Sequence, residues 1–294
     1  MRAVGVLMGV LAAASSVCGA APLAQEDART LVREVVYNEQ HDHDIHGYWR
    51  YWVQKHGQAG TQIEEQVETA EGTVSRVLIH NGQRLDAQSE QVEDDKLRAL
   101  MNSPGQQANL RQAYREDEDK IGRILVLLPD AFDFTDAGME GGMRHLRYTP
   151  NAKYTAHGME AKVFHQLSGD LWIDVRMKRL KRLEGHLSDD VNFGFGVLGR
   201  VNKGSWFRMA RTQVNSDEWK TDQLSVHISG RALMMKTIGH DTDEVRGGFE
   251  TVPAAMSMTQ GLRMLQVSPE REAALAVSVF SPAALLRGRG AARP

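Results

Sequence analysis

Three histidines and two aspartates stand within six residues, in the stretch H-D-H-D-I-H from His41 to His46. His41 and His43 would share one face of an extended segment, and imidazole with carboxylate is a ligand set that suits zinc. The spacing matches neither H-E-x-x-H nor another motif with a defined mechanism. We therefore predict a solvated linker between a helix and the first strand, and no metal site. A metal-dependent hydrolase is the weaker alternative.

A second chemical pattern, G-F-G-V-L-G at Gly194–Gly199, has the spacing of a dinucleotide-binding loop. The residues that follow, R-V-N-K-G-S-W-F, suit a turn and a strand and not the helix that such a loop requires. We interpret these glycines as sites of bulges or of a sharp bend. The chain also has no G-x-S-x-G elbow and no S-x-x-K with its companion motifs. The sequence therefore predicts no catalytic residues, no cofactor and no enzymatic activity.

The first segment, residues 1–20, is typical of a secretory signal peptide. It has one arginine, then an apolar run at Ala3–Ala14, then small residues. The apolar run is shorter than the roughly 20 residues of a membrane span. The single cysteine, Cys18, lies in this segment, and the preceding S-S-V lacks the usual lipoprotein signal. We expect export to the periplasm, with an outer-membrane lipoprotein anchored through Cys18 as the less favoured alternative.

Composition and charge limit the classes of protein to which the chain can belong. The chain has 294 residues, of which 41% are hydrophobic and 25% charged, enough to bury a core. Its formal net charge is −3 and its basic cluster R-G-R-G-A-A-R-P is confined to the C-terminus. Without a broad basic surface, nucleic-acid binding has no electrostatic basis. We expect a monomer with one domain at 25–266 and a partly disordered extension at 267–294.

Hydrophobic periodicity changes along the chain. Helical spacing at Gln25–Asn38 predicts an amphipathic helix, and alternation from Trp49 onward predicts strands. Asn81-Gly82 predicts a type I′ hairpin turn. Helical patterns resume at Ser89–Leu128, with a break at Ser103-Pro104-Gly105. Further short strands fill Ala131–Glu250. The sequence therefore predicts an α+β fold, mainly antiparallel β, arranged as an incomplete, half-open β-barrel of roughly ten to eleven strands with covering helices.

Several longer motifs add a resemblance over residues 30–266. Among them are Y-W-R-Y-W, L-P-D-A-F-D-F, S-G-D-L-W-I-D and S-G-R-A-L-M-M-K-T-I. They resemble an uncharacterised family of secreted bacterial proteins, which in turn resembles, at the level of the fold, the LolA/LolB-like lipoprotein-localisation superfamily. The resemblance implies a barrel closed by helices around an apolar cavity that holds acyl chains. It supplies no catalytic residue to carry over.

Such a cavity would be lined by large apolar side chains and by flexible methionines. The candidates are Trp49, Tyr51, Phe132, Phe134, Trp172, Phe193, Phe207, Met234 and Met235. The helices at about 89–128 would form a lid. We expect a carrier or binding protein for a lipid, an acylated protein or another hydrophobic ligand, with transient contact to a membrane surface or an envelope protein. The alternative is a structural or protein-interaction module of the envelope whose interior is filled.

Overall fold

A computed structural model describes residues 24–42, 47–57, 60–193, 199–232 and 236–266. Within these ranges six helices accompany one antiparallel sheet of thirteen strands. The predicted α+β class with antiparallel strands is confirmed. The predicted signal peptide and C-terminal extension lie outside the described residues, as do His43, His46, Met234 and Met235.

The helices differ widely in length, from one turn to six. They are α1 (Gln25–Gln40), α2 (Ala87–Met101), α3 (Pro104–Leu125), α4 (Leu128–Ala131), α5 (Met159–Phe164) and α6 (Met258–Gln266). The helix break was predicted correctly. The side chain of Ser103 accepts a hydrogen bond from the Gln106 N–H and Pro104 opens α3, as expected for an N-cap followed by proline. Pro129 lies in the first turn of α4, a position that tolerates proline.

The strands follow in chain order. They are β1 (Tyr48–Gly57), β2 (Gly60–Thr69), β3 (Gly72–His80), β4 (Gln83–Arg84), β5 (Phe132–Glu140), β6 (Met143–Pro150), β7 (Leu167–Asp174), β8 (Arg179–Leu187), β9 (Val191–Phe193), β10 (Gly199–Val201), β11 (Trp206–Gln213), β12 (Trp219–Ala232) and β13 (Lys236–Val252). Asn81 and Gly82, between β3 and β4, have φ values of 49° and 77°, which agrees with the predicted type I′ turn.

Eleven strands form a continuous order, β4-β3-β2-β1-β13-β12-β11-β8-β7-β6-β5, while β10 pairs with β12 and β9 beside it. The prediction of ten to eleven strands therefore falls short of thirteen, because strands of two or three residues are too short to show alternation. The terminal strands of the order, β4 and β5, are not paired with each other in the described part of the chain. The sheet is open, and a barrel is not confirmed.

One face of the sheet carries α1, and we call it the α1 face. Opposite residues in antiparallel strands share a face, and one such row runs from Leu146 through Leu171 and Leu183 to Met209. The apolar side of α1, including Val32, packs on this row together with α4. Each such side chain, once fully buried, contributes about 1.5–3 kcal/mol. This is the larger core.

The other face carries α2 and α6 over the opposite wing of the sheet, and we call it the α6 face. The row just described continues through Leu224 and Glu244 to Lys55 of β1. Val67 lies opposite Arg50, an odd number of residues from Lys55, so Val67 faces the other way. Val67 packs against α6 and α2 in a second core with Val74, Leu97, Met256, Met258, Leu262 and Leu265.

Helix α3 bridges these two covered wings. Near its start the Gln107 side-chain amide donates to the carbonyls of Leu100 and Met101, at the end of α2. Near its other end the Gly122 carbonyl accepts from the Gln40 side chain of α1. Of its 22 residues only Gln107 is buried. Such a helix is expected to open more easily than the core elements.

Candidate functional site

The sheet divides into two ladders at the start of β12. Strand β12 pairs with β13 only from Gln223 onward, while the last part of β13 pairs with β1 as far as Val252. A register shift between Ala210 and Arg211 accompanies this division, and such irregularities bend a strand away from its neighbours. The first residues of β12 therefore separate from β13.

Three aromatic side chains cluster at the division on the α1 face. Trp49 and Tyr51 of β1 pack with Phe249 of β13 and with Val214. The ring centroids of Tyr51 and Phe249 are 5.3 Å apart, and those of Trp49 and Phe249 are 6.3 Å apart in an edge-to-face arrangement. Trp49 is 3% exposed and Tyr51 is 5% exposed. Two of the predicted cavity residues are thus brought together.

A lysine between two glutamates links the separated ladders. The Lys220 ammonium of β12 lies 3.2 Å from Oε1 of Glu218 and 3.4 Å from Oε2 of Glu68 on β2. Trp49 donates to both acids, through its indole Nε1–H to Glu218 at 2.5 Å and through its backbone N–H to Glu68 at 3.1 Å. Hydrogen bonds to charged acceptors are the stronger kind, so the indole is firmly oriented.

A tight turn positions Glu218. The Asn215 side-chain oxygen accepts from the backbone N–H groups of Asp217 and Glu218, and its amide donates to Oε2 of Glu218 at 3.2 Å. Asparagine commonly stabilises turns in this way. Both oxygens of the buried Glu218 carboxylate therefore have hydrogen-bond or ion-pair partners, which a buried charge requires.

Tyr114 brings α3 close to Glu68, whose negative charge contributes to the raised pKa of the Tyr114 hydroxyl. It packs over Gly72, where a Cβ would lie 3.3 Å from the Tyr114 Cβ, and Gly72 has a φ of +125°. Glycine at this position therefore permits both the backbone conformation and the approach of α3. A second tie is the ion pair between Arg111 and Glu71, at 3.1 Å. We call Trp49, Tyr51, Glu68, Tyr114, Glu218, Lys220 and Phe249 the α3 site.

Both tyrosines of the α3 site stay protonated near neutral pH. Burial, reinforced by the negative charge of Glu68, raises the pKa of the Tyr51 hydroxyl above its ordinary value. Burial, with Glu118 and Glu68, raises the pKa of Tyr114 in the same direction. The site thus offers aromatic faces, neutral hydroxyls and carboxylates, which can bind a ligand but include no activated nucleophile.

Helix α3 carries an apolar stripe that we call the ledge, and one of its residues, Tyr114, also belongs to the α3 site. The residues of the ledge, Leu110, Tyr114 and Ile121, fall within about 40° of one another around a helix of 3.6 residues per turn. Tyr114 is half-buried, whereas Leu110 is 41% exposed and Ile121 is 56% exposed. Only part of this apolar stripe of α3 is therefore covered.

Three of the other predicted cavity residues, Phe132, Phe134 and Phe207, do not join the α3 site. Phe132 and Phe134 are packed in the larger core under α1, with Phe207 against the same core. Phe193 belongs to β9, and its side chain lies outside what is described. The candidates whose side chains are described are therefore not gathered in one place.

Trp172 lies on the opposite face from its neighbours Leu171 and Ile173. Its ring stacks on His145 with centroids 4.5 Å apart, and the Arg182 guanidinium lies 4.4 Å from the ring centroid on the α6 face. Its indole donates to Glu140 at 2.9 Å. We read Trp172 as part of a stabilising stack, since stacked and cation–π contacts occupy the ring.

Two open clefts occur elsewhere on the described surface. One, of about 360 Å³, lies beside α5 and is lined by residues that include Tyr154, Lys162 and Asp190. The other, of about 430 Å³, lies between β4 and α2 and includes Ser89 and Glu93. Polar side chains line much of each cleft, and neither contains a predicted cavity residue.

The histidine tract is described only in part. His41 follows the last residue of α1, where Nδ1 lies 2.8 Å from the Tyr37 carbonyl and the two rings stack at 4.2 Å. Among the described residues no group of three or more histidine, cysteine or acidic side chains could hold a metal ion. His41 therefore has a local structural role at the end of α1.

Five residues of the α3 site were missed by sequence analysis: Glu68, Tyr114, Glu218, Lys220 and Phe249. Glu68 and Lys220 are 152 positions apart, and neither belongs to a recognisable motif. Only the register of distant strands brings them together. The one local signal is the N-S-D-E turn before Trp219, which indicates an ordered acid at Glu218.

No protein-family model, curated protein or solved structure matches the chain. The resemblance to LolA/LolB-like carriers therefore stays a prediction. Among the described helices, none is long and apolar enough to cross a lipid bilayer.

Proposed function

We propose that the protein is an exported, non-enzymatic binding protein or carrier for an acyl-chain amphiphile in the bacterial cell envelope. The observation that carries this proposal is α3, a 22-residue helix that bridges the two wings of the sheet yet has only Gln107 buried. It leaves Leu110 and Ile121 exposed on the side of the helix that carries Tyr114. A helix of this kind suits a lid that exchanges its own contacts for those of a ligand.

The ledge is long enough for part of an acyl chain to lie along it. Leu110 and Ile121 are eleven residues apart, which corresponds to about 16 Å along a helix. An acyl chain lying along it would transfer methylene groups from water, at about 0.8 kcal/mol each. Several buried methylenes give reversible binding of the strength that a carrier needs. The open sheet, curled into the predicted half-barrel, would supply the opposing wall.

The competing function is a structural or protein-interaction module of the envelope. Its support is the filled state of the described core: Trp49, Tyr51, Phe132 and Phe134 are each at most 5% exposed. A filled interior needs no small ligand. The two functions differ in whether an amphiphile binds at α3.

Binding of a fluorescent acyl probe separates them. The double variant Leu110→Asp/Ile121→Asp places charge on the ledge and should weaken probe binding about tenfold, the equivalent of two lost methylene contacts. Val92→Asp is the matched control, because Val92 is 60% exposed on α2. Circular dichroism and the urea midpoint should be unchanged in both. Absence of probe binding by the parent protein would favour the interaction module, and equal weakening by the control would refute the assignment of α3.

A further inference from the structure

The open cleft beside α5 is a polar cavity that the proposed function does not use, and we call it the α5 cleft. Its volume is about 360 Å³, within the roughly 300–1,000 Å³ of small-ligand pockets. Its walls come from the loop after β6, from α5 and from the residues that open β9. Its polar lining includes Tyr154, Thr155, Lys162, Gln166, Asp190 and Asn192.

Hydrogen bonds within the protein hold both walls of the α5 cleft. The carbonyl of Asn151, directly after β6, accepts from the Tyr154 N–H and from Nε2 of His165, each at 3.0 Å. The rings of Tyr154 and His165 meet edge-on with their centroids 5.2 Å apart. On the other wall Asp190 accepts from the Lys203 backbone N–H at 2.7 Å. The cleft is therefore preorganised, which lowers the entropic cost of binding a ligand.

One positive charge in the lining of the α5 cleft is uncompensated. The Asp190 carboxylate forms an ion pair with Arg200, whose Nη1 lies 3.2 Å from Oδ2. The ammonium of Lys162 also lines the cleft, and it forms no ion pair with an acid whose side chain is described. A ligand with one negative charge would compensate Lys162, whereas a dianion would bring a second negative charge close to Asp190.

The rest of the lining suits a neutral body that is rich in hydroxyl groups. Thr155, Gln166 and Asn192 supply a hydroxyl and two amides, which both donate and accept hydrogen bonds. Tyr154 adds a half-buried ring with a polar tip, which suits a partner that has an apolar face and a wet edge. A pyranose has CH groups on its faces and hydroxyls around its rim. An acyl chain would instead leave these polar groups without partners.

We propose that the α5 cleft binds a small sugar acid, a pyranose that carries a single carboxylate. The carboxylate pairs with the Lys162 ammonium, the ring packs on Tyr154, and the hydroxyls bond to the amides of Gln166 and Asn192. A free sugar acid and an acidic sugar of an envelope glycan share this chemistry. The inference goes beyond the carrier function and does not depend on it.

Calorimetric titration of the full chain with matched sugars tests this inference. Glucuronate should bind about tenfold more tightly than glucose, because it adds a charge-assisted hydrogen bond to the same ring. Glucose 6-phosphate should bind no more tightly than glucuronate, and acetate at least about tenfold more weakly, since acetate lacks the ring. Methyl glucuronide carries the link of a glycan: if it binds as glucuronate does, the ligand is a glycan-borne sugar, and if it does not, the ligand is a free acid.

Two variants separate the charge from the body of the ligand. Lys162→Gln should reduce the preference for glucuronate over glucose to below about twofold. Asn192→Ala should weaken both sugars several-fold and leave the preference unchanged. Lys153→Gln is the matched control, because Lys153 is an exposed lysine of the neighbouring loop that does not line the cleft. Lys162 and Asn192 are also exposed, so the urea midpoints of all three variants should equal that of the parent protein.

The result expected is a preference for glucuronate that depends on Lys162 and not on Lys153. Equal binding of glucose and glucuronate, or no binding of either, would overturn the inference. Tighter binding of glucose 6-phosphate would overturn the assignment of a carboxylate. An equal effect of Lys153→Gln and Lys162→Gln would indicate general surface attraction and would also overturn it. The Leu110→Asp/Ile121→Asp variant should bind glucuronate as the parent does, which keeps this test separate from that of the carrier function.

Discussion

Replacement of Tyr114 by alanine should loosen α3 without disturbing either core. Tyr114 is half-buried and packs over Gly72, at the start of β3. Full burial of a large side chain contributes about 1.5–3 kcal/mol, so a half-buried ring contributes about 1 kcal/mol to closure. An energy of this size corresponds to about a fivefold change in an equilibrium constant.

Hydrogen exchange followed by mass spectrometry measures this closure. Amide exchange within α3 should become about fivefold faster in Tyr114→Ala, while peptides from α1 and β5 exchange as before. Leu110→Ala is the control, because Leu110 lies in the same helix but is 41% exposed. It should change α3 exchange by less than twofold. If Tyr114→Ala and Leu110→Ala behave alike, Tyr114 does not hold the lid and the reasoning fails.

Three further predictions concern stability. Trp172→Ala should lower the free energy of unfolding by about 3 kcal/mol, the cost of truncating a buried aromatic residue, and should leave the affinity for the acyl probe unchanged. A loss of probe binding would show that Trp172 contacts the ligand. Gly185→Ala should cost about 1–3 kcal/mol in urea unfolding, because its Cβ would lie 2.4 Å from a Phe207 ring carbon, and an unchanged midpoint would contradict this packing. Burial raises the pKa of Tyr51 and of Tyr148. These tyrosines therefore ionise at a lower pH in the unfolded chain than in the folded chain. The stability that they contribute is present below about pH 10 and should fall as the pH rises further. A melting temperature that is constant or rises above that pH would refute the burial of these hydroxyls.

Local patterns predicted the elements well where the signal lies within a few residues. The amphipathic repeat at Gln25–Asn38 matches α1, the Ser103-Pro104 signal matches the start of α3, and Asn81-Gly82 matches the hairpin turn. In each case the chain supplies its own cap or turn geometry. These features do not depend on distant partners.

Long-range register was not predictable from the same patterns. Trp172 alternates with Leu171 and Ile173 in the sequence, but alternation alone does not say which set faces α1. The partners of Lys220 lie on a strand far away along the chain, and the division of the sheet depends on a register shift at Ala210. Tertiary pairing decides such features, and short-range patterns in the sequence do not reveal which distant strands pair.

The most direct test of the proposed function is native mass spectrometry of the full chain purified from a bacterial envelope fraction, followed by lipid extraction. The carrier function predicts one acyl-chain amphiphile bound per chain, released on extraction and greatly reduced in the Leu110→Asp/Ile121→Asp variant. A spectrum that contains only the bare polypeptide, from parent and variant alike, would contradict it.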